Sequence, residues 1–245
     1  FEKEKELEMK NLTQQTVNQL LYISYFALSE YEKAKNHINQ LIENGFEEPK
    51  IHSDLANIYI LEGDTVKALE ILSTAREYYP ENTSLMNAEL DIFIKQGRSE
   101  ELISKLSGAI ESNPDNKLYY FARAVSYDNM GKYNEAEKDY KSAIDIDPSY
   151  FDAFYNLGVV YVNKSNPLTV QYEEAKTMAE QDKIYEEILS WYQKALAEFE
   201  VALDNPDMSN EDKFILAETM KKLYAKTQDM GKFKQMKLLM ESLQN

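Results

Sequence analysis

The feature that most constrains the fold of this chain is a set of landmark residues that recur every 34 positions. They are three prolines (Pro80, Pro114, Pro148), three glycines (Gly63, Gly97, Gly131) and five aromatic residues (Tyr25, Tyr59, Phe93, Tyr127, Tyr161). Three independent sets in one register indicate a true internal repeat. A repeat of this length is typical of small units that are stable only when they stack.

Each repeat unit is predicted to be a pair of helices. In the unit around Gly131, Tyr120, Ala124 and Tyr127 share one helical face before the glycine, and a second apolar stripe runs from Tyr133 to Ile144. Glycine permits the left-handed backbone that ends a helix, and proline stops the second helix. Two amphipathic helices joined by a short turn form an antiparallel hairpin, so the spacing predicts an all-α fold.

This pattern resembles the tetratricopeptide repeat, whose period is about 34 residues. The best match to its first helix is "FYNLGVVY", with Phe154, Leu157-Gly158 and Tyr161, and the second half of the signature matches Ala136, Tyr140 and Pro148. The resemblance implies a right-handed α-solenoid of about five to six stacked hairpins, and we expect one domain over residues 1–245. Regular units are predicted to start near Gln15, Pro49, Thr83, Lys117 and Phe151, and a looser, C-terminal capping hairpin is predicted at about 209–245, with Gly231 in the glycine position.

The resemblance also implies a concave groove, lined by the first helix of each pair, that binds a peptide or a partner protein. The predicted groove residues are Asn57, Asn87, Asp91, Phe121, Arg123, Asp128, Tyr155 and Asn163. The lysine and arginine residues with which one subfamily clamps a terminal carboxylate are missing, so we expect no clamp of that kind. Asparagine can bond a peptide backbone without reading charge, and Phe121 and Tyr155 are expected to add flat apolar area.

Arg123 occupies a position that the repeat usually fills with leucine, and two interpretations are open. Its stem can pack while its guanidinium meets a carboxylate of the same chain. Alternatively, its charge faces the groove and binds an acidic group of a ligand.

Composition excludes several other classes of function. The chain has no cysteine and a net charge of −16, which removes thiolate chemistry and disfavours nucleic acid and anionic membranes as partners. It has only two histidines, His37 and His52, which we interpret as packing residues, and no phosphate-loop or metal motif. No apolar run is long enough to insert in a membrane. We therefore expect no enzyme activity, no cofactor and no metal, and a neutral to basic protein or peptide partner.

The 34-residue count fails once, after Tyr161, and resumes about 25 residues late near Tyr192. We expect a helical insertion at about 163–190 inside the fifth hairpin, with a turn at Asn166-Pro167 and one helix from Thr169 to about Asp204. The insertion is either a tolerated extension or a second interaction surface, formed by Tyr172, Met178 and Tyr185.

Two classes of function therefore remain. The first is an adaptor or scaffold whose groove binds a partner, and the second is a structural subunit that self-associates or joins a larger complex of the cell envelope. The basic C-terminal residues 211–245 are either a solvated last helix or a tail that docks on an acidic surface of this or another molecule. The extended fifth unit resembles repeat proteins of Bacteroidetes bacteria, which slightly favours the periplasm or cell envelope over the cytoplasm.

Overall fold

The computed structural model describes the backbone of residues 2–80 and 82–244, and side chains from Lys10 onward within those ranges. The described residues form twelve α-helices and no strand, which confirms the predicted all-α fold class. The helices are α1 (Glu2–Ala27), α2 (Tyr31–Glu43), α3 (Pro49–Leu61), α4 (Thr65–Tyr78), α5 (Thr83–Lys95), α6 (Ser99–Ser112), α7 (Lys117–Asn129), α8 (Tyr133–Ile146), α9 (Phe151–Glu174), α10 (Met178–Leu203), α11 (Asn210–Lys226) and α12 (Met230–Leu243).

The chain divides into two compact units, residues 1–97 and 98–245. In the first unit each helix from α1 to α4 packs on the next one along the chain, and α3 also contacts α5. In the second unit the same succession runs from α6 to α12, and α7 also contacts α9. Helices that pack on their neighbours across short turns are antiparallel hairpins, as the repeat predicts. The proposal that residues 1–245 form a single domain stays a prediction.

The turns that follow α1, α3, α5, α7 and α11 each contain one residue with a left-handed backbone. Gly63, Gly97 and Gly131 have φ angles of 85°, 67° and 70°, and each stands two residues before the next helix. Ser29 and Gln228 hold the same place with φ angles of 59° and 60°. The predicted glycine position at Gly231 is therefore wrong, because Gly231 lies inside α12 and Gln228 makes the turn.

The hairpins pack closely because small residues occupy the helix contacts. Ala124 of α7 and Ala136 and Ala143 of α8 have no solvent exposure. Gly158 of α9 lies so near α10 that an added Cβ would be 2.5 Å from Cε1 of Phe199. The small side chains thus let neighbouring helices approach to a distance that larger residues would prevent.

The fifth hairpin is longer than the others because both of its helices are extended. Helices α9 and α10 have 24 and 26 residues, against 13 in α7. At 1.5 Å per residue, α9 is roughly 36 Å long and α7 about 20 Å. The predicted turn at Asn166-Pro167 is wrong, since Pro167 lies inside α9.

The chain instead reverses direction at residues 175–177, so the predicted single helix from Thr169 to Asp204 is also wrong. Thr177 and Glu180 form a capping box, in which each side chain bonds the backbone N–H of the other residue. That reciprocal pair satisfies two of the free N–H groups at the start of α10 and fixes where the helix begins.

Candidate partner-binding surfaces

In the first unit, a cleft between α3 and α5 contains two of the predicted groove residues. Asn57 and Asp91 line this cleft, which has a volume of about 340 Å³, and Asn87 lies exposed one turn before Asp91. The apolar part of the lining comes from small and aliphatic side chains: Ala56, Ile60, Ala88 and Ile92. We call this the α3–α5 cleft. It offers apolar surface between polar side chains, as small-ligand and peptide sites do.

Of the two aspartates that line the α3–α5 cleft, Asp54 is paired within the chain and Asp91 is open to solvent. Lys50 Nζ and the Tyr22 hydroxyl both donate to Asp54 Oδ2, at 2.6 and 3.1 Å. Asp91 has only a distant, solvent-exposed contact with Lys95, at 3.7 Å, which contributes little.

Ser53, which also lines the cleft, carries a buried hydroxyl with no hydrogen-bond partner among the described residues. A buried polar group without a partner costs about 1–3 kcal/mol.

Phe121, a predicted groove residue of the second unit, is occupied by contacts within the chain. Phe121 is only 5% exposed, and its ring packs on Tyr140 and Tyr150 with centroid separations of 5.7 and 5.0 Å. It therefore supplies core contacts, and the expected flat contact area from Phe121 is wrong.

Arg123 makes the intramolecular pair that was one of its two interpretations. Its Nε and one terminal nitrogen donate to the two carboxylate oxygens of Asp139 at 2.6 and 2.9 Å, and the other donates to Ser107 Oγ at 2.9 Å. The hydrogen bond with Asp139 raises the pKa of Arg123 above its ordinary, already high value. Asp139 is 2% exposed, so the pair is a buried structural element and leaves no free charge for a ligand.

Asp128 and Asn163, also predicted groove residues, lie together between α7 and α9. Asn163 Nδ2 donates to Asp128 Oδ1 at 3.4 Å. Burial raises the pKa of Asp128, and the hydrogen bond from Asn163 opposes this effect.

Tyr155 lies at a second cleft, between α9 and α11, with a volume of about 420 Å³. Tyr155 is 37% exposed, and its ring packs on that of Phe199 with the centroids 5.8 Å apart. The cleft is lined by Phe151, Asp152, Tyr155, Asn205, Asp207, Met208, Ser209, Asp212 and Ile215. We call it the α9–α11 cleft. Most of its lining comes from the turn after α10 and the start of α11, which the sequence pattern did not single out.

The predicted second surface lies on the extended part of the fifth hairpin. The rings of Tyr172 and Tyr185 are 6.0 Å apart, and the Tyr185 hydroxyl donates to the backbone oxygen of Lys226 at 3.4 Å. These two tyrosines therefore brace α9, α10 and the end of α11. Met178, at the start of α10, is 72% exposed.

A cluster around Trp191, whose partners the sequence did not reveal, anchors the base of the extended hairpin. Tyr161 stacks on Trp191 at 5.8 Å, and Nζ of Lys164 and Lys194 lie 5.0 and 4.1 Å from its ring centre. Glu137 accepts hydrogen bonds from Tyr161, Lys164 and Lys141. Burial alone would raise the pKa of Glu137, but the hydrogen bonds from Lys141 and Lys164 lower it to about 2.

Both histidines make packing contacts. His37 stacks on Tyr25 at 5.6 Å and lies 3.1 Å from the Asn18 side-chain oxygen, while burial lowers the pKa of His52 beside Tyr79. Within the described side chains, no three His, Cys, Asp or Glu residues are arranged to hold a metal ion. No helix in the described part of the chain has the length and apolar character needed to cross a membrane.

Comparisons with known proteins agree with this architecture. Residues 129–165 match a family model described as TPR repeat, and residues 107–138 match one described as tetratricopeptide repeat. No curated protein sequence matches the chain.

Solved structures of repeat proteins also resemble it. A thermophilic TPR protein of Thermus thermophilus is 17% identical, with 84% of this chain and 98% of that chain covered and a TM-score of 0.52. YrrB, a TPR protein with an unusual peptide-binding site, is 21% identical over 82% of this chain and 88% of its own, with a TM-score of 0.40. PilW, a widely conserved type IV pilus biogenesis factor, is 14% identical over 93% and 92%, with a TM-score of 0.48.

Residues 107–165 are therefore similar to tetratricopeptide repeats, and the all-α architecture matches that of a solved TPR protein. Such repeats generally mediate interactions between proteins and are typically non-enzymatic scaffolds.

Proposed function

We propose that this protein is a non-enzymatic scaffold that binds a peptide or partner protein in its α3–α5 cleft. The observation that carries the proposal is the arrangement of that cleft. Asn57 and Asp91 present polar side chains beside an apolar lining formed by Ala56, Ile60, Ala88 and Ile92.

The chemistry of the cleft favours a neutral to basic segment. Asn57 and Asn87 are exposed and have no hydrogen-bond partner in the described part of the chain, so their amides are free to bond a peptide backbone. Asp91 is open to solvent, and the chain as a whole carries a charge of −16, which repels acidic partners. A cleft of about 340 Å³ admits one or two aliphatic side chains of an extended or helical ligand.

Site-directed photo-crosslinking tests this proposal. A photo-reactive residue is placed at position 57 or 91, and a control is placed at Glu70, an exposed residue of the second helix of the same hairpin as α3. We expect the same partner to be crosslinked at both cleft positions in cells and not at position 70. Equal crosslinking at all three positions, or at position 70 alone, would exclude the cleft as the binding site.

Self-association is the second candidate function, and the surface of α1 favours it. Residues 11–29 contain no charged side chain, although 29% of the chain is charged. Leu12, Leu20 and Ile23 are 65%, 62% and 53% exposed on this helix. An uncharged apolar surface is the place where two strongly acidic copies can approach with least repulsion. Light scattering over a range of concentrations tests this, and a concentration-independent monomer would rule it out.

The tip of the extended hairpin remains a third candidate surface. Since Tyr172 and Tyr185 brace the helices, Met178 is the side chain there with the most area to offer a partner. A photo-reactive residue at position 178 should crosslink a partner if the tip is a contact surface. The resemblance to Bacteroidetes proteins and a periplasmic or envelope location stay predictions, which cell fractionation of the source organism would test.

A further inference from the structure

The α9–α11 cleft differs from the α3–α5 cleft in its charge. Three of its lining residues are aspartates: Asp152 in the first turn of α9, Asp207 in the turn after α10, and Asp212 in the first turn of α11. None of the three takes part in an ion pair with a described residue. Asp212 only accepts a hydrogen bond from Ser209 Oγ at 2.6 Å.

The three aspartates are exposed at the edge of the cleft. Partial burial of the Asp152 carboxyl against the cleft raises its pKa. A carboxylate that loses hydration without gaining a cation is destabilised, and a cation placed beside it reverses the loss.

The remaining lining suits the stem of a long side chain. Tyr155 is held against Phe199, so its ring stands ordered at the cleft, and Met208 and Ile215 add aliphatic surface. Aromatic rings attract cations, and the methylene groups of lysine and arginine pack on apolar surface while their charged ends meet carboxylates. The volume of about 420 Å³ lies in the range of about 300–1,000 Å³ common for ligand clefts.

The helix dipole explains only part of this arrangement. Acidic residues in the first turn of a helix are common because they complement its positive end, and Asp152 and Asp212 fit that description. Asp207 does not, because it lies in the turn between α10 and α11, and neither does the apolar and aromatic lining. A hard metal ion would need about six to eight oxygen ligands, whereas much of this cleft is carbon.

We propose that the α9–α11 cleft binds a lysine or arginine side chain from an extended segment of a partner protein. This rests on the proposed function as an interaction scaffold, but it concerns a different cleft and a defined chemistry. The carboxylates supply the charge, Tyr155 supplies the aromatic face, and Met208 and Ile215 contact the aliphatic stem.

The test uses two blocked pentapeptides that differ only in charge, acetyl-Gly-Ala-Arg-Ala-Gly-amide and the same peptide with uncharged citrulline in place of arginine. Binding is followed by the NMR shifts of the Met208 and Ile215 methyl groups in the whole chain. We expect saturable shifts with the arginine peptide, weakening as salt is added, and about tenfold weaker binding of the citrulline peptide.

Two charge-matched variants complete the design. The variant Asp152→Asn/Asp207→Asn/Asp212→Asn is expected to lose the shifts, whereas Glu173→Gln/Glu174→Gln/Glu187→Gln, which removes the same charge from exposed positions of the extended hairpin, keeps them. Equal binding of the two peptides, equal effects of the two variants, or no shift at the cleft would overturn the proposal. Crosslinking at position 57 reads the α3–α5 cleft independently, so either proposal can fail without the other.

Discussion

The same substitution, glycine to alanine, is expected to have three different effects at three glycines of the second unit. Gly108 lies exposed in the middle of α6 with a right-handed helical backbone, and an added Cβ meets nothing within 4 Å. Glycine in a helix interior is less favourable than alanine by about 0.5–1 kcal/mol, so Gly108→Ala should stabilise by that amount.

Gly131 and Gly158 should respond in the opposite direction, for two separate reasons. At Gly131 the added Cβ also meets nothing within 4 Å, but φ is 70°, and a left-handed backbone costs an L residue about 1–2 kcal/mol. Reduced freedom of the unfolded chain offsets part of this, which leaves a loss of about 1 kcal/mol. At Gly158 the Cβ would lie 2.5 Å from the ring of Phe199, which is 1% exposed, so overpacking should cost about 1–3 kcal/mol.

Urea unfolding followed by tryptophan fluorescence measures all three effects. Trp191, the only tryptophan of the chain, lies in the second unit together with the three glycines, so one signal reports on all of them. The free energy of unfolding should rise for Gly108→Ala, fall slightly for Gly131→Ala and fall most for Gly158→Ala. If Gly108→Ala and Gly131→Ala shift the midpoint in the same direction, the argument from the left-handed backbone is wrong. If Gly158→Ala is neutral, the close approach of α9 and α10 is wrong.

Three further predictions follow from other features. Gln228→Gly should stabilise by about 0.5–1 kcal/mol, since φ is 60° there, and a lower urea midpoint would contradict this. Glu137→Gln should be less stable than the parent protein at pH 7. The folded-state pKa of Glu137, about 2, lies below the ordinary 4.5, so the difference in stability should vanish as the pH falls from 4.5 toward 2. A stability difference that stays constant over this range would refute the role of the ion pairs. Deleting residues 211–245 removes α11 and α12, including the buried Met220, and uncovers the side of α10 on which α11 packs. The shortened protein should therefore aggregate, as measured by light scattering, and an unchanged monomer would contradict this.

The regular hairpins were predictable because their signals are local. Pro49 at the start of α3 and the left-handed glycines at 63, 97 and 131 are required by the backbone at their own positions. The sixth hairpin was placed three residues late because Gln228 adopts a conformation that glutamine gives no reason to expect. The turn at 175–177 had a readable signal, the sequence Thr177-Met178-Ala179-Glu180 of a capping box, but Asn166-Pro167 looked stronger.

The candidate sites were predicted less well because side-chain environment depends on residues distant in the sequence. Phe121 is buried by Tyr140 and Tyr150, and Arg123 is taken by Asp139, so helical periodicity alone did not reveal that neither is free. Asn57 and Asp91 lie on α3 and α5 and do line one cleft. Their role in binding stays a prediction.

The two clefts belong to different units and differ in charge, which bears on how many partners the protein binds. The α3–α5 cleft suits apolar side chains and a peptide backbone, and the α9–α11 cleft suits a cation. If one partner occupies both, binding at one cleft raises the effective concentration at the other, and the combined affinity can exceed either by about 10²–10⁴. Disabling either cleft would then remove most of the affinity for the same protein. If the clefts bind separate partners, Asn57→Ala/Asp91→Ala and the triple aspartate variant should each lose a different protein and leave the other bound at full affinity.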